Sequence, residues 1–205
     1  MIKIPEIDNS IKRLRIDIGL SYDAPNSQEW LQESNDIFVF GFEPVPENCR
    51  NVLETIKNDR FHLYEYAVSD TAGIKIFNVT KHSKSIEKDR GQSSFYEPSD
   101  KCPFSTDFKI EVNCITLDGF LSLIDWSRFD SIDFLKIDAQ GHDLEIIKST
   151  KEHINKLPLI KLESTTQGEY VGTPQDHNPN SMYEFMHNNG YSLAQSLHGD
   201  HIYSR

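Results

Sequence analysis

The sequence predicts an α/β fold built on a doubly wound, mostly parallel sheet with an antiparallel hairpin at its C-terminal end. Three observations carry that prediction. Strand-like apolar runs alternate with helical patterns along most of the chain. The run from Ile37 to Phe42 is apolar throughout, as a strand covered on both faces must be. The chain closes with two strand patterns, Tyr191 to Leu197 and His201 to Tyr203, around His198-Gly199-Asp200. At 205 residues the chain is expected to form one domain over residues 1–205, large enough to bury a core without disulfides or metal.

The elements follow in order. Leu14 to Gly19 reads as a short strand ending at a glycine. Pro25 to about Glu33 reads as a helix, with Asp23 or Ala24 at its cap and proline in its first turn. After the apolar strand, Pro46 opens a helix through about Lys57 whose inner face carries Val52, Leu53 and Ile56. Phe61 to Val68 is a third strand, turned by Ser69-Asp70-Thr71-Ala72-Gly73 into an antiparallel excursion at Ile74 to Phe77. Residues 80–108 are polar and without period, which marks a substrate loop; within them Lys81 to Arg90 reads as solvated, and Gly91 to Tyr96 brings aromatic faces suited to a sugar ring. Beyond it lie a strand at Ile110–Ile115, a helix at Leu117–Ile124, a strand at Ile132–Asp138, a helix from Asp143 to about His153, a strand at Leu157–Glu163 and a helix at Ser181–Asn189.

Composition narrows the partners. With 21 Lys+Arg against 32 Asp+Glu the formal charge is −11, the wrong sign for gripping nucleic acid or anionic lipid. The longest apolar run has six residues, Ile37 to Phe42, far short of the roughly 20 that span a bilayer, and Met1 to Glu6 lacks a signal-peptide core. Cys49, Cys102 and Cys114 are odd in number and widely spaced, which argues against a zinc site or disulfide framework and for a reducing, cytoplasmic setting.

A doubly wound sheet binds ligands at the carboxyl ends of its strands, where strand order reverses. Chain order puts Asp17–Gly19, Glu43, Ser69–Asp70, Asp138 and Glu163 at such ends, an acidic rim. Gly19 lets backbone approach a ligand at a helix N-terminus. Glu43, 24 residues on, is placed to accept hydrogen bonds from ribose hydroxyls. No second or third glycine completes a G-x-G-x-x-G turn before Gly41, so a dinucleotide and dehydrogenase chemistry are disfavoured.

The segment Asp133-Phe134-Leu135-Lys136-Ile137-Asp138-Ala139-Gln140-Gly141-His142-Asp143-Leu144-Glu145 resembles the D-x-x-K-I-D-x-E-G-x-E block of the FkbM-type methyltransferases, which use S-adenosylmethionine (SAM). Phe42-Glu43-Pro44, Ala67-Val68-Ser69-Asp70-x-x-Gly73 and Ile115-Thr116-Leu117-Asp118 match that family's other blocks in order and spacing. The resemblance runs from about Leu14 to Glu163. It implies a class I SAM-dependent methyltransferase fold with a seven-stranded sheet, and O-methylation of hydroxyls on sugars or natural products. Carried onto these positions, Asp17, Gly19 and Ser21 surround the methionine part of SAM, with Leu20 beside them. Glu43 holds the ribose, next to Pro44. Ser69 and Asp70 lie beside the adenine, and Asp138 lies under the sulfonium. The sequence departs from the family at its glycine-rich turn, at Gln140 where glutamate is usual, and at His142 where a small residue is usual.

Proton removal from a weakly acidic hydroxyl calls for a base near the methyl. Asp138 and His142 are the candidates, against the plainer readings of a helix-capping carboxylate and an exposed loop histidine. Lys136-x-Asp138 and Lys161-x-Glu163 repeat one spacing on adjacent strands; they read either as a catalytic set with Lys136 and Glu163 or as a structural ion-pair ladder. Asp118, Asp138, Glu163 and His142 offer hard ligands, but no metal is assigned. The expected activity is SAM-dependent methylation of a sugar or glycan hydroxyl, a deoxysugar for example. The alternatives are a small natural product as acceptor, or a silent SAM-fold scaffold. With almost nothing ahead of the first strand, the chain is expected to be a domain of a larger glycan-building polypeptide or to borrow a lid from a second subunit.

Overall fold

The computed structural model describes residues 2–82, 90–164, 168–174, 177–197 and 199–205. The first half runs β1 (Arg13–Ile18), α1 (Pro25–Glu33), β2 (Ile37–Phe42), α2 (Pro46–Thr55), β3 (Phe61–Tyr64), β4 (Ala67–Ser69), β5 (Gly73–His82), β6 (Glu97–Pro98) and β7 (Phe104–Thr116). The second half runs α3 (Leu117–Leu121), β8 (Phe134–Ile137), α4 (Asp143–Lys148), a 3-10 segment (Lys151–Lys156), β9 (Leu159–Glu163), β10 (Tyr170–Val171), α5 (Pro179–Asn188), β11 (Ser192–Leu197) and β12 (Asp200–Ser204).

Seven strands form the central sheet in the order β11-β12-β9-β8-β1-β2-β3. From β3 to β9 all neighbours are parallel, while β12 runs antiparallel to β9 and to β11. The chain therefore moves outward from β1 to β3 and returns to β8 on the other side of β1. Strand order reverses between β1 and β8, and the crevice beyond their carboxyl ends is where such a sheet takes its ligand. The mostly parallel sheet and its terminal hairpin are those the sequence predicts.

Burial on both faces explains the apolar β2. Phe38, Phe40 and Phe42 enter one core with Leu14, Ile16, Phe120, Leu135 and Ile137, while Ile37 and Val39 enter a second with Leu20, Trp30, Leu31 and Val52. Phe120 meets Phe40 and Phe42 edge-on at 5.2 and 4.9 Å. Ala24 is the N-cap of α1 in a left-handed conformation, φ 49°, with Pro25 in the first turn.

The expected third strand breaks. Glu65 and Tyr66 end β3, and β4 leaves the central sheet to pair in parallel with β7. A separate sheet, β4-β7-β5, results. The antiparallel excursion is correspondingly larger than predicted, since β5 pairs with β7 from Gly73 to His82. Residues 80–82 and 104–108, expected as loop, are therefore strand; residues 83–89 lie outside the described residues, as does His198 of the hairpin turn. The predicted helix after Leu117 stops at Leu121, and that after Asp143 at Lys148, where a 3-10 segment takes over. No described helix is long and apolar enough to cross a membrane.

Candidate active site

Gly19 ends β1 at φ +78°, a conformation that L side chains rarely adopt. A Cβ there would lie 1.9 Å from the Asp138 carbonyl oxygen, so the turn closes directly over the end of β8. Backbone bonds tie it down: Gly19 N–H donates to Phe42 O at 3.0 Å and Asp138 N–H to Ile18 O at 3.1 Å. Beneath the turn, Lys136 Nζ donates to Gly19 O at 2.6 Å and lies 3.2 Å from Asp17 Oδ1 and 3.5 Å from Asp138 Oδ2. Burial opposes the Lys136 charge, but Asp17 and Asp138 outweigh it and raise the ammonium above its ordinary value. Asp17 is completed by Ser27 Oγ at 2.7 Å.

Over this floor opens a cavity lined by residues of β1, β2, β4, β5 and the β8–α4 turn. Its polar side holds Gly19, Ser21, Glu43, Asp138 and Gln140; its apolar side holds Pro44, Ala67, Val68, Phe77 and Phe95. Phe77 and Phe95 meet edge-on, 5.0 Å apart. Glu43 is almost fully buried, its carboxylate accepting from Val45 N–H at 2.9 Å and Ser21 N–H at 3.1 Å. Burial pushes it up to about 7, against those N–H groups and Lys136.

At the mouth, Gln140 Nε2 donates to Asp138 Oδ1 at 2.7 Å and to Glu163 Oε2 at 3.1 Å. Burial works to raise Asp138, but Lys136 and the hydrogen bonds from its neighbours hold it below its ordinary value. Burial, together with the charges of Asp138 and Asp143, pushes Glu163 up to about 9. The two acids titrate as a linked pair, with their surroundings favouring the charged form at Asp138 and the protonated form at Glu163.

Several sequence-predicted residues stand elsewhere. Asp17 and Lys136 form the buried floor and do not line the cavity. Leu20 is buried in the core beside α1. Ser69 and Asp70 do not line the cavity, whereas Ala67 and Val68, earlier on β4, do. Asp70 pairs with Lys75 at 2.5 Å, which holds its carboxyl down at about 2. Glu163 faces an adjoining pocket of ≈ 250 Å³ with Gly141, Ser164 and His177. Lys161 pairs with Asp200 at 2.7 Å rather than with Glu163, and Asp118 bonds His153 at 2.8 Å, away from the rim. Of the Gly91 to Tyr96 segment, Gly91, Ser93 and Phe95 line the cavity. Phe77 carries no sequence signal of its own, and Gln140 only its departure from the family pattern; the assembled rim reveals their place.

His142 is neither an exposed loop residue nor a base at the cavity. It is buried, with Nε2 2.9 Å from Ser69 Oγ and Nδ1 3.3 Å from Tyr96 Oη. Lys75 also donates to Ser69 Oγ, at 2.8 Å, so the histidine ties the β4–β7 insertion to α4. Burial lowers it from 6.5 to about 4. Protons therefore bind the unfolded chain preferentially between those values, and this contribution to stability is present above pH 6.5 and lost as pH falls to 4. His142→Ala is expected to cost about 2 kcal/mol in urea unfolding at pH 7 and to weaken the acid sensitivity between pH 6.5 and 4. A variant as stable as the parent would contradict this role.

Comparison with known proteins decides the family. The FkbM methyltransferase domain is matched over residues 21–193. The chain belongs to the FkbM methyltransferase family. It is similar to the 2-O-methyltransferase NoeI of Sinorhizobium fredii, 27% identical over 168 residues that cover 77% of this chain and 65% of NoeI. The chain thus spans about two thirds of that relative's length. An FkbM methyltransferase structure from Methylobacillus flagellatus superposes with a TM-score of 0.56 at 13% identity, over 96% of this chain and 44% of that one. Fibrillarin from Aeropyrum pernix, in complex with natively bound SAM, gives 0.50 at 9% identity over 96% of this chain and 67% of its own. The SAM held in that structure is the group whose fit to this cavity the shared fold raises. The cavity fits it: a buried carboxylate, a turn too tight for any side chain, and an apolar slot converge at the β1–β8 switch point.

Proposed function

We propose that this FkbM methyltransferase methylates a hydroxyl of a sugar or glycan. The observation that carries the reading is the Asp138–Gln140–Glu163 cluster, in which Asp138 and Gln140 line the cofactor cavity and Glu163 lines the adjoining pocket, a proton-accepting group where the two meet. The likeness to a protein named a 2-O-methyltransferase supports oxygen as the acceptor atom. The charge of −11 favours a neutral hydroxylated acceptor over nucleic acid or an anionic surface.

SAM supplies a methyl group already activated by its sulfonium. The protein's share is orientation, exclusion of water and proton removal. Glu43 would accept from the ribose hydroxyls. The Ser21 turn would face the methionine end, and Val68, Phe77 and Phe95 would cover the adenine. The bound group would supply its methyl to the acceptor oxygen and depart as S-adenosylhomocysteine, and Asp138 would be placed to take the hydroxyl proton.

Ribose hydroxyls favour the ionised form of Glu43. Below pH 7 cofactor binding is therefore expected to expel about one proton and to tighten as pH rises from 6 to 8. Calorimetry in buffers of different ionisation heat reads this directly; binding without proton exchange at pH 6 would remove Glu43 from the ribose site. The acceptor is tested by incubating the chain with methyl-labelled SAM and a panel of deoxyhexose-bearing oligosaccharides beside phenolic and polyketide hydroxyls. Label on a sugar oxygen is the expected result. Label confined to the other acceptors would overturn the glycan reading.

A further inference from the structure

Gln140 stands in a left-handed conformation, φ 52°, and is nearly fully buried. Such backbone is strained for a non-glycine residue and persists only where surrounding bonds enforce it. Those bonds are on every side. Ser94 Oγ donates to the Gln140 carbonyl at 2.7 Å, and Tyr170 Oη donates to Gln140 Oε1 at 2.9 Å. The acids on the other side of the amide call for its N–H donors, which leaves Oε1 toward Tyr170, whose hydroxyl also lies 3.0 Å from Gln92 O. Nε2 then points at two acids that also hydrogen-bond each other, and gives one N–H to each, at 2.7 Å to Asp138 and 3.1 Å to Glu163.

We propose that Gln140, clamped by Tyr170, is a positioning residue that joins Asp138 and Glu163 into one proton-handling unit facing the acceptor. The proposal rests on the methyltransfer reading above. A neutral amide is the one side chain of this length that donates to both acids without adding charge of either sign. Ionisable groups surround the unit: Lys136 and Asp17 lie below it, Asp143, which burial pushes up to about 7, accepts from Glu163 N–H at 3.2 Å, and Asp200 on β12 acts on Glu163. A further negative charge there would act against ionisation of both acids, and loss of the two N–H donors would act in the same direction.

Two variants test this in the intact chain. Gln140→Glu keeps the shape but replaces the donors with a carboxylate, and Tyr170→Phe removes only the hydroxyl. Carboxyl-labelled Asp and Glu are titrated by carbon-13 NMR in the free protein, with circular dichroism confirming the fold. In Gln140→Glu the steps of the Asp138–Glu163 pair are expected to move up by about one pH unit or more, with a smaller shift of the same sign in Tyr170→Phe. The acid limb of the kcat profile should move with them, while KM for SAM changes less than about threefold. Titration steps that stay in place in both variants would overturn the proposal, whatever happens to turnover. Shifted steps in a chain that methylates no hydroxyl would sustain the unit and fail the methyltransfer reading instead.

Discussion

Asp138→Asn is expected to lower turnover by about 10²- to 10⁴-fold, the usual worth of a positioned general base. The carboxylate is ionised because Lys136, 3.5 Å away, outweighs its burial. Asparagine keeps its shape, and Lys136 keeps Asp17 at 3.2 Å and the Gly19 carbonyl at 2.6 Å. The floor of the cavity should therefore survive and SAM should bind within a few-fold of the parent. Label transfer gives turnover, and calorimetry gives the affinity. Parental turnover in this variant would assign proton removal to another group.

Gly19→Ala should damage the protein in a different way. Its Cβ would sit 1.9 Å from backbone, not from the flexible end of a side chain, and φ +78° disfavours alanine even without that contact. Either β1 or β8 has to move, and both frame the cavity. The combined strain and overpacking are expected to cost about 2–5 kcal/mol in urea unfolding and to abolish measurable SAM binding. Gly73→Ala is the control, because Gly73 at φ +132° has nothing within 4 Å of its Cβ position. It should lose stability alone and keep the cofactor. An alanine at position 19 that binds SAM normally would show that the turn does not close on Asp138.

These two positions also show how far the sequence can be read. The sheet was legible because its signals are local: an unbroken apolar β2, a proline at the start of α1 and α2, and strand patterns at each expected place. Gly19, Glu43 and Asp138 were legible because chain order alone puts them at strand ends. The exit of β4 from the central sheet was not. Phe61 to Val68 looks like one strand, and only the pairing of its last residues with β7 shows where it breaks. His142 misled for a similar reason: its two partners, Ser69 and Tyr96, lie 73 and 46 residues away in the chain. Gln140 stood out only as a departure from the family pattern, and its bond to Tyr170, 30 residues on, gives it meaning.

SAM is expected to lie across the β1–β8 switch point with its ribose at Glu43 and its reactive end at Asp138. A diffraction structure with S-adenosylhomocysteine tests it most directly. The expected map shows the ribose hydroxyls within hydrogen-bond distance of the Glu43 carboxylate, the adenine between Val68 and Phe95, and the sulfur facing Asp138. Density for the ligand away from Glu43, or with its sulfur turned from Asp138, would contradict the account.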